Sequence, residues 1–228
     1  MKIVYEDKDQ IVIHKPAGVA TQTARLGEKD LVSQVKNHIA GLSGSNNPYV
    51  AVINRLDQPV EGIVLFAKNA KTAAALSAQM QDGRMEKYYL AVIYGNMDVT
   101  EDKLVDYLQK DGKGNTSKVV SSGAKDAKKA MLEYCVEATA ENRQLVRIHL
   151  LTGRHHQIRV QFASRKHPLI GDTKYGTEQS MTFARQCNAR VPALCAYKLL
   201  WKHPVTGNDI KIQVEPENPV IQELRKSK

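Results

Sequence analysis

The sequence predicts an α+β fold with a largely antiparallel sheet. Many short segments have the apolar or alternating pattern of strands, and polar turns of a few residues separate most of them. Helical periodicity occurs in fewer places. Strands that follow one another through short turns pair as hairpins, and hairpins build antiparallel sheets. We therefore expect a mainly antiparallel sheet with a few flanking helices.

The predicted strands are apolar or β-branched runs that end at turn residues. Two pairs are predicted hairpins, residues 130–138 with 144–151 and residues 195–202 with 209–214. The sequence HPVTGN, a good turn, joins the second pair. The other predicted strands cover residues 3–5, 11–14, 62–67, 87–94 and 118–120.

The predicted helices cover residues 30–39, 70–81 and about 155–165. The first has apolar residues at every fourth position. The second follows Asn69, a good N-cap, and ends at Gly83. Its inner stripe is predicted to contain Ala73, Ala74, Leu76 and Met80. The third is predicted to bury Ile158 and Phe162.

The charge of the chain predicts a polyanionic partner. The net charge is +9 at pH 7 and the isoelectric point is about 9.4. Residues 110–176 contain 13 Lys or Arg against 6 Asp or Glu, and so carry most of the excess. A solvated basic face is the plain interpretation of such a segment. Because the best catalytic motif lies in the same segment, we favour RNA, with an anionic membrane second.

Chain length, cysteine content and the distribution of apolar residues limit the possible domain organisation and location. The 228 residues suit a single domain, and we expect residues 1–228 to form one. The chain has an odd number of cysteines without close metal-ligand spacing, Cys135, Cys187 and Cys195. We therefore expect neither a disulfide framework nor a zinc site in this protein, and a reducing cytoplasm as its location. The N-terminus has no signal peptide, and no apolar run approaches the ~20 residues that span a bilayer.

The first candidate motif is Asn54-Arg55-Leu56-Asp57, between two strand-like segments. A carboxylate in a loop beside buried strands is where a rigid scaffold can present a nucleophile. A turn aspartate that caps backbone amides is the plainer interpretation of this motif alone.

The second motif is the strand around Tyr88 and Tyr89. Alternation places the two rings on opposite faces, so one can pack in the core while the other faces a cleft and stacks on a base. A core or rim tyrosine is the plainer alternative.

The third motif extends from Thr152 to Val160 through a Gly turn into a predicted helix start, where backbone amides and Arg154 suit anions. Helical spacing would place Arg159 on the same face as His155 and His156. Two histidines without a third ligand are a weak metal site, so we expect them to bond locally or to contact phosphate.

Together these motifs resemble those of the RluA-type pseudouridine synthases. That family shows a K-P-x-G, an R-L-D followed by a Gly and an apolar strand, and a K-x-Y-x-A-x-V strand. It also shows T-G-R-x-H-Q-I-R-V, H-P-x-x-G-D-x-x-Y-G, A-x-x-L and H-P-x-T-G. The matching stretches begin at Lys15, Arg55, Lys87, Thr152, His167, Ala196 and His203, with Ile93 for the Val. The resemblance spans nearly the whole chain.

The resemblance implies a fold, a reaction and site residues. The implied fold is a mixed, mainly antiparallel central sheet with flanking helices and a long RNA-binding cleft. Asp57 is implied to be the catalytic aspartate, Tyr89 the base-stacking tyrosine and Arg159 the arginine that pairs with the aspartate. We assign Arg55, Arg154, His156 and Gln157 to substrate binding. No cofactor and no metal are expected. The expected partner is rRNA or tRNA, and we expect a monomer without an S4 domain.

Three positions depart from the family pattern. Asn54 replaces the usual His before R-L-D, Val60-Glu61-Gly62 replaces T-S-G, and Leu194-Cys195-Ala196 replaces L-H-A. Asp57, Tyr89 and Arg159 are intact. The expected activity is therefore isomerisation of a flipped uridine, with Asp57 acting either at the sugar as nucleophile or at C2′ as base. A non-catalytic RNA-binding or RNA-folding factor on the same fold is the alternative, and a metal hydrolase using the two histidines is a remote third.

Overall fold

The computed structural model describes residues 1–23 and 30–226. These residues form two compact units, Met1–Glu86 with Ala196–Glu215 and Lys87–Cys195 with Pro216–Lys228. The strands are β1 (Lys2–Glu6), β2 (Gln10–Lys15), β3 (Ala51–Val52), β4 (Glu61–Ala67), β5 (Glu86–Tyr94), β6 (Glu101–Asp111), β7 (Thr116–Val120), β8 (Lys128–Ala140), β9 (Arg143–Leu150), β10 (Leu194–Lys202) and β11 (Asp209–Gln213). The helices are α1 (Leu31–Ser43), α2 (Ala70–Gln81), α3 (Gln157–Ala163), α4 (Glu178–Gln186) and α5 (Pro219–Lys226).

The first unit is built on β2 and β4, which are buried along their whole length. β1 pairs with β2, β2 and β3 pair with β4, and β11 pairs with β10, all antiparallel. Helix α2 packs against β3 and β4. The core beneath it contains Val12, Ile63, Leu65, Leu76 and Trp201. Complete burial of β2 and β4 explains their apolar runs, residues 11–13 and 63–67.

The second unit is an antiparallel sheet in the order β5-β9-β8-β6-β7. Helix α3 packs against β6 and β7, and α5 packs against β8 and β9. Leu108, Ala130 and Val160 form a small core cluster at the α3 side. Both units therefore confirm the predicted α+β fold with a mainly antiparallel sheet.

The two predicted helices of the first unit are confirmed, with corrections. Asp30 caps α1, which continues to Ser43 and ends at Gly44 in the left-handed region, four residues beyond the prediction. Helix α2 has the predicted bounds, and Asn69 accepts a hydrogen bond from the Thr72 amide as its N-cap. The predicted inner stripe is partly wrong, because Ala74 is exposed while the polar Thr72 and Gln79 are buried.

The third predicted helix is shorter than expected. It begins at Gln157 because His156 has a φ of 54°, a left-handed conformation that cannot be part of a right-handed helix. Ile158 and Phe162 are buried as predicted. His155 and His156 lie outside the helix, so the predicted helical face shared with Arg159 is wrong. No helix in the described part of the chain is long and apolar enough to cross a membrane.

Candidate functional site

Asp57 lies half-buried in the loop between β3 and β4 of the first unit. The loop is bonded on both sides of Asp57 to the segment that follows β2. The Thr21 hydroxyl accepts from the Leu56 amide at 3.2 Å and donates to the Leu56 carbonyl at 3.0 Å. Gly18 and Gln58 exchange two further bonds of 2.8 and 3.0 Å. The aspartate therefore sits in a loop whose backbone is fixed immediately before and after it.

Lys15, the lysine of K-P-x-G, is completely buried beneath this loop. Its ammonium group donates to the carbonyls of Pro16 at 3.0 Å, Val19 at 2.6 Å and Gln58 at 3.0 Å. Burial lowers the pKa of Lys15 to about 8, and the negative charges of Asp57 and Glu61 oppose that shift. A buried cation thus lies near Asp57 and is bonded to the residue that follows it.

The residues that depart from the family pattern have defined places in this loop. Asn54 donates to the Ile63 carbonyl at 2.9 Å and accepts from the Leu65 amide at 2.8 Å, so its side chain continues the hydrogen bonding of β4. Glu61 is buried. Gly62 has a φ of 129°, and a Cβ there would lie 2.5 Å from backbone atoms of Ala196. Only glycine fits that position.

The predicted tyrosine pair lies on β5 of the second unit. Tyr89 pairs with Ile148 of β9 and is buried, whereas Tyr88 pairs with His149. The Tyr88 and His149 rings are stacked, with centroids 4.6 Å apart. Adjacent strand residues point to opposite faces, so the predicted separation of the two rings is confirmed. The role of Tyr89 in stacking on a base stays a prediction.

Arg159 lies on α3 and forms a buried, bidentate ion pair with Asp172. The Nε–Oδ2 distance is 2.7 Å and the Nη2–Oδ1 distance is 2.8 Å. Both side chains are almost fully buried, with 4% and 0% exposure. Asp172 also accepts from the Lys174 amide. Arg159 therefore has a carboxylate partner within its own unit, and its pairing with Asp57 stays a prediction.

Gln157 organises the Thr152–Arg154 turn that precedes α3. Its carbonyl accepts from the Thr152 hydroxyl at 2.8 Å and from the Arg154 amide at 3.0 Å. Its amide donates to the Met131 carbonyl and to Gln161, each at 3.0 Å. All four of its hydrogen-bonding positions are used, so the side chain shapes the turn.

The other predicted substrate-binding residues differ in exposure. Arg55 and Arg154 are exposed, and Arg154 donates to the Lys129 carbonyl at 2.9 Å. His156 is buried, with its Nδ1 atom 2.7 Å from the Tyr175 hydroxyl. The exposed lysines of residues 110–176 are Lys110, Lys113, Lys118, Lys125, Lys128, Lys129, Lys166 and Lys174.

Asp7, Asp9 and His203 are close enough together to hold a cation, and their hydrogen bonds test that possibility. Nδ1 of His203 accepts from the amides of Val205 and Thr206, each at 3.1 Å. Its other nitrogen must then carry the proton, and it lies 3.0 Å from Asp7 as a donor. Asp7 further accepts from the backbone amides of Asp9 and Gln10. The cluster is a hydrogen-bonded turn whose histidine has no lone pair for a metal.

Sequence reasoning recognised Lys15 and Asp172 only as parts of motifs and assigned a role to neither. For Lys15, a lysine within an apolar strand is a signal of a paired position. Asp172 lies 13 residues from Arg159, and its pairing with that arginine carries no spacing signal.

Known proteins resemble the whole chain. The profile of the RNA pseudouridylate synthase family matches residues 9–164. The ribosomal large subunit pseudouridine synthase D of Vibrio cholerae is 30% identical over 236 residues, which cover 97% of this chain and 69% of that protein. The tRNA pseudouridine synthase C of Pasteurella multocida is 30% identical over 226 residues, which cover 93% and 90% of the two chains.

A solved structure shows the same fold. Human RNA pseudouridylate synthase domain containing 4 superposes with a TM-score of 0.78 at 20% identity, over 98% of this chain and 93% of that one. The implied pseudouridine synthase fold is therefore confirmed. With the family profile and the two relatives, this places the chain in the RluA-type family of RNA pseudouridine synthases, which are isomerases that act on RNA.

Proposed function

We propose that this protein converts a specific uridine of rRNA or tRNA to pseudouridine, with Asp57 as the catalytic carboxylate. The observation that carries the proposal is the fixed Asp57 loop, which is bonded to Gly18 and Thr21 and lies over the buried Lys15. A nucleophile or base is effective when its backbone cannot move away from the reacting atom. Relatives named for each RNA class leave both rRNA and tRNA as substrates.

The reaction breaks the bond between C1′ and N1, turns the uracil, and forms a bond between C1′ and C5. Asp57 attacks the sugar at C1′ or removes the proton at C2′, and either role requires an ionised carboxylate. Attack of C5 on C1′ displaces Asp57 in the first case, and in the second Asp57 returns the proton to C2′. C5 then loses its proton to solvent and N1 gains one, so atoms balance without an oxidant or a reductant. The nucleotide must leave its stack to reach a buried group, which is least costly in an RNA loop.

Tyr89 and Arg159 have supporting roles in this proposal. Tyr89 stacks on the displaced uracil, and Arg159 supplies the positive charge that orients Asp57. The motif resemblance assigns these residues to one reaction, and the family profile supports treating residues 1–228 as one catalytic domain because it extends across parts of both units. Thiols at all three cysteines support a reducing, cytoplasmic location.

RNA contact in this proposal is electrostatic and lies on the second unit. Residues 112–130, which include β7 and the start of β8, have five exposed lysines and one exposed acidic residue, Asp126. Two exposed arginines add positive charge at the motifs. Arg55 belongs to R-L-D, and Arg154 belongs to the Thr152–Val160 motif. Phosphate contacts position a nucleic acid without reading its bases. The basic surface would thus hold the RNA while the Asp57 loop selects one uridine.

The experiment compares wild-type protein with the Asp57→Asn variant on RNA from cells that lack the gene. The RNA carries tritium at uridine C5, because pseudouridine has the same mass as uridine, whereas release of the C5 proton reports the reaction directly. Asn is nearly isosteric, so we expect a folded variant that binds RNA and releases no tritium. Arg159 keeps Asp172 as a partner in this variant, so little stability should be lost.

Two outcomes would contradict the proposal. If the folded variant releases tritium as fast as the wild type, Asp57 is not the catalytic group. If the wild type releases none from any cellular RNA fraction, the protein is an RNA-binding factor on a pseudouridine synthase fold. Mapping pseudouridine in total RNA with and without the gene would then identify the substrate position in the positive case.

A further inference from the structure

Tyr175, which the proposed mechanism does not use, connects three parts of the second unit. Its hydroxyl accepts from the Ser117 amide of β7 at 2.8 Å, which leaves the hydroxyl proton for Nδ1 of His156 at 2.7 Å. Its ring lies against the Arg159 guanidinium, with Cζ 5.2 Å from the ring centroid. Its amide donates to Asp172, the partner of Arg159, at 3.3 Å. One residue thus contacts a β-hairpin, the segment before α3 and the proposed catalytic arginine.

The hairpin formed by β6 and β7 is bonded to the same region at its tip. Nδ1 of His155 lies 2.8 Å from the Ser117 hydroxyl, and its Nε2 lies 3.1 Å from the Asn115 side chain. Lys174 donates to the Asn115 carbonyl at 2.9 Å. Asn115 has a φ of 46°, which shapes the turn for these contacts. The whole hairpin has as many acidic residues as lysines, but its tip, residues 110–118, carries the exposed lysines Lys110, Lys113 and Lys118 against one carboxylate, Asp111.

We propose that Tyr175 is a positioning residue that couples the lysine-bearing tip of the β6–β7 hairpin, residues 110–118, to Arg159. The hydroxyl fixes the hairpin against the segment before α3, and the ring fixes the orientation of the guanidinium group. The inference rests on the proposed function, because it assigns the hairpin to RNA contact and Arg159 to the reaction.

The hydroxyl group and the ring of Tyr175 should affect different quantities, the affinity for RNA and the rate of the chemical step. Without the hydroxyl the hairpin is less ordered in the free protein, and RNA binding must then order it. The entropy lost in that step weakens binding. The rate at saturating RNA is less sensitive to it, because the bound hairpin is ordered already. Loss of the ring instead removes the flat surface that limits the tilt of the guanidinium, which affects the chemical step. A residue needed only for stability would show no such division.

The test compares Tyr175→Phe, Tyr175→Leu and a control, Tyr134→Phe. Tyr134 lies in the same unit, and its hydroxyl donates to the Val99 carbonyl at 2.9 Å, so the control loses a similar bond elsewhere. Three quantities are measured on folded protein. They are hydrogen exchange at the Ser117 amide, the Kd for a synthetic RNA hairpin with a uridine loop, and single-turnover tritium release with enzyme in saturating excess.

We expect Tyr175→Phe to accelerate exchange at Ser117 and to raise the Kd about 3- to 10-fold, because, of its two lost hydrogen bonds, the one from the Ser117 amide holds the hairpin. Tyr175→Leu should add a fall of about tenfold or more in the saturated rate. The control should leave all three quantities near wild type. Tyr175→Phe retains the ring and the volume of the side chain, so it keeps the test open if Tyr175→Leu unfolds.

The coupling is refuted if Tyr175→Phe changes neither the Ser117 exchange nor the Kd relative to Tyr134→Phe. It is also refuted if Tyr175→Phe and Tyr175→Leu lower the saturated rate equally, because the ring then has no separate part. Failure of the proposed function is a different result, in which the wild type releases no tritium. The exchange and binding measurements still decide in that case whether Tyr175 fixes an RNA-binding hairpin.

Discussion

Replacing Lys15 by Met tests whether the buried cation serves activity more than stability. Met has a similar length and no charge, so it fills the space and removes the ammonium group. The Gln58 carbonyl keeps the Gly18 amide as a donor, whereas the Pro16 and Val19 carbonyls lose the lysine. Two buried acceptors without this donor cost about 2–6 kcal/mol at ~1–3 kcal/mol each.

The desolvation of Lys15 opposes that loss. A pKa near 8 in place of the ordinary 10.5 means that the folded state disfavours the charged amine by about 3 kcal/mol. Met removes this penalty, so the net effect on stability at neutral pH should lie between a gain of about 1 kcal/mol and a loss of about 3 kcal/mol. The saturated rate of tritium release should fall about 10- to 100-fold, because the residue after Asp57 loses a bond and the loop can shift.

The pH dependence of unfolding gives an independent check on Lys15. The folded pKa is below the unfolded one, so between about pH 8 and 10.5 the unfolded chain binds more protons than the folded one. The stability of the wild type relative to Lys15→Met should therefore rise by about 3 kcal/mol over that window. Urea unfolding of both proteins at several pH values measures it, with Lys8→Met as the control for an exposed lysine of the same unit.

A flat difference between wild type and Lys15→Met across that window would refute the assigned burial. A wild-type rate in the folded Lys15→Met variant would refute the positioning of the Asp57 loop by Lys15. The control variant should change neither quantity, because Lys8 is exposed.

Three further results are expected. Changing Lys128 and Lys129, both exposed at the start of β8, to Ala should reduce the slope of log affinity against log salt by about 1.5–2, and an unchanged slope would place the RNA on another face. Asp172→Asn should destabilise folding by about 3–5 kcal/mol in urea, because it uncouples a buried arginine, and a loss below ~1 kcal/mol would contradict the importance of that pair. Activity should survive a strong chelator, and a loss that one added metal restores would show that the turn of Asp7 and His203, or another site, binds a metal.

The sequence predicted elements best where local signals and tertiary packing agree. Helix α2 has both a capping Asn69 and a terminating glycine, and its bounds were predicted correctly. Strand β6 was missed because its eleven residues are mostly charged or polar, although Leu104 and Leu108 are buried on one face. Helix α5 was missed because it is short and follows a proline-rich stretch, and its apolar residues are buried only by tertiary packing.

For the candidate site, the sequence indicates the motif residues but not the partners that they contact in the fold. Motif order indicated Asp57, Tyr89 and Arg159 as site residues, and their catalytic roles stay predictions. The partners of these residues lie far away in the sequence, as Lys15 does from Gln58 and Tyr175 from Ser117. Only the folded chain brings such pairs together. The left-handed backbone of His156 is a further case, since no composition rule predicts a positive φ at a histidine that precedes a helix.

The folded chain separates the paired charges of residues 110–176 from the exposed ones, which the sequence alone could not do. Four of its arginines form ion pairs within the second unit, namely Arg143 with Glu223, Arg147 with Glu137, Arg159 with Asp172 and Arg165 with Asp106. The planar guanidinium suits such fixed, directional pairs. The exposed charge of the segment is therefore mainly lysine, which contacts phosphate as a point charge on a flexible stem. Such a surface gives affinity that falls steeply with salt and reads little sequence. Under the proposed function, RNA shape and the residues around Asp57 would then determine the choice of uridine, and this chain departs from the family pattern there at Asn54 and Glu61.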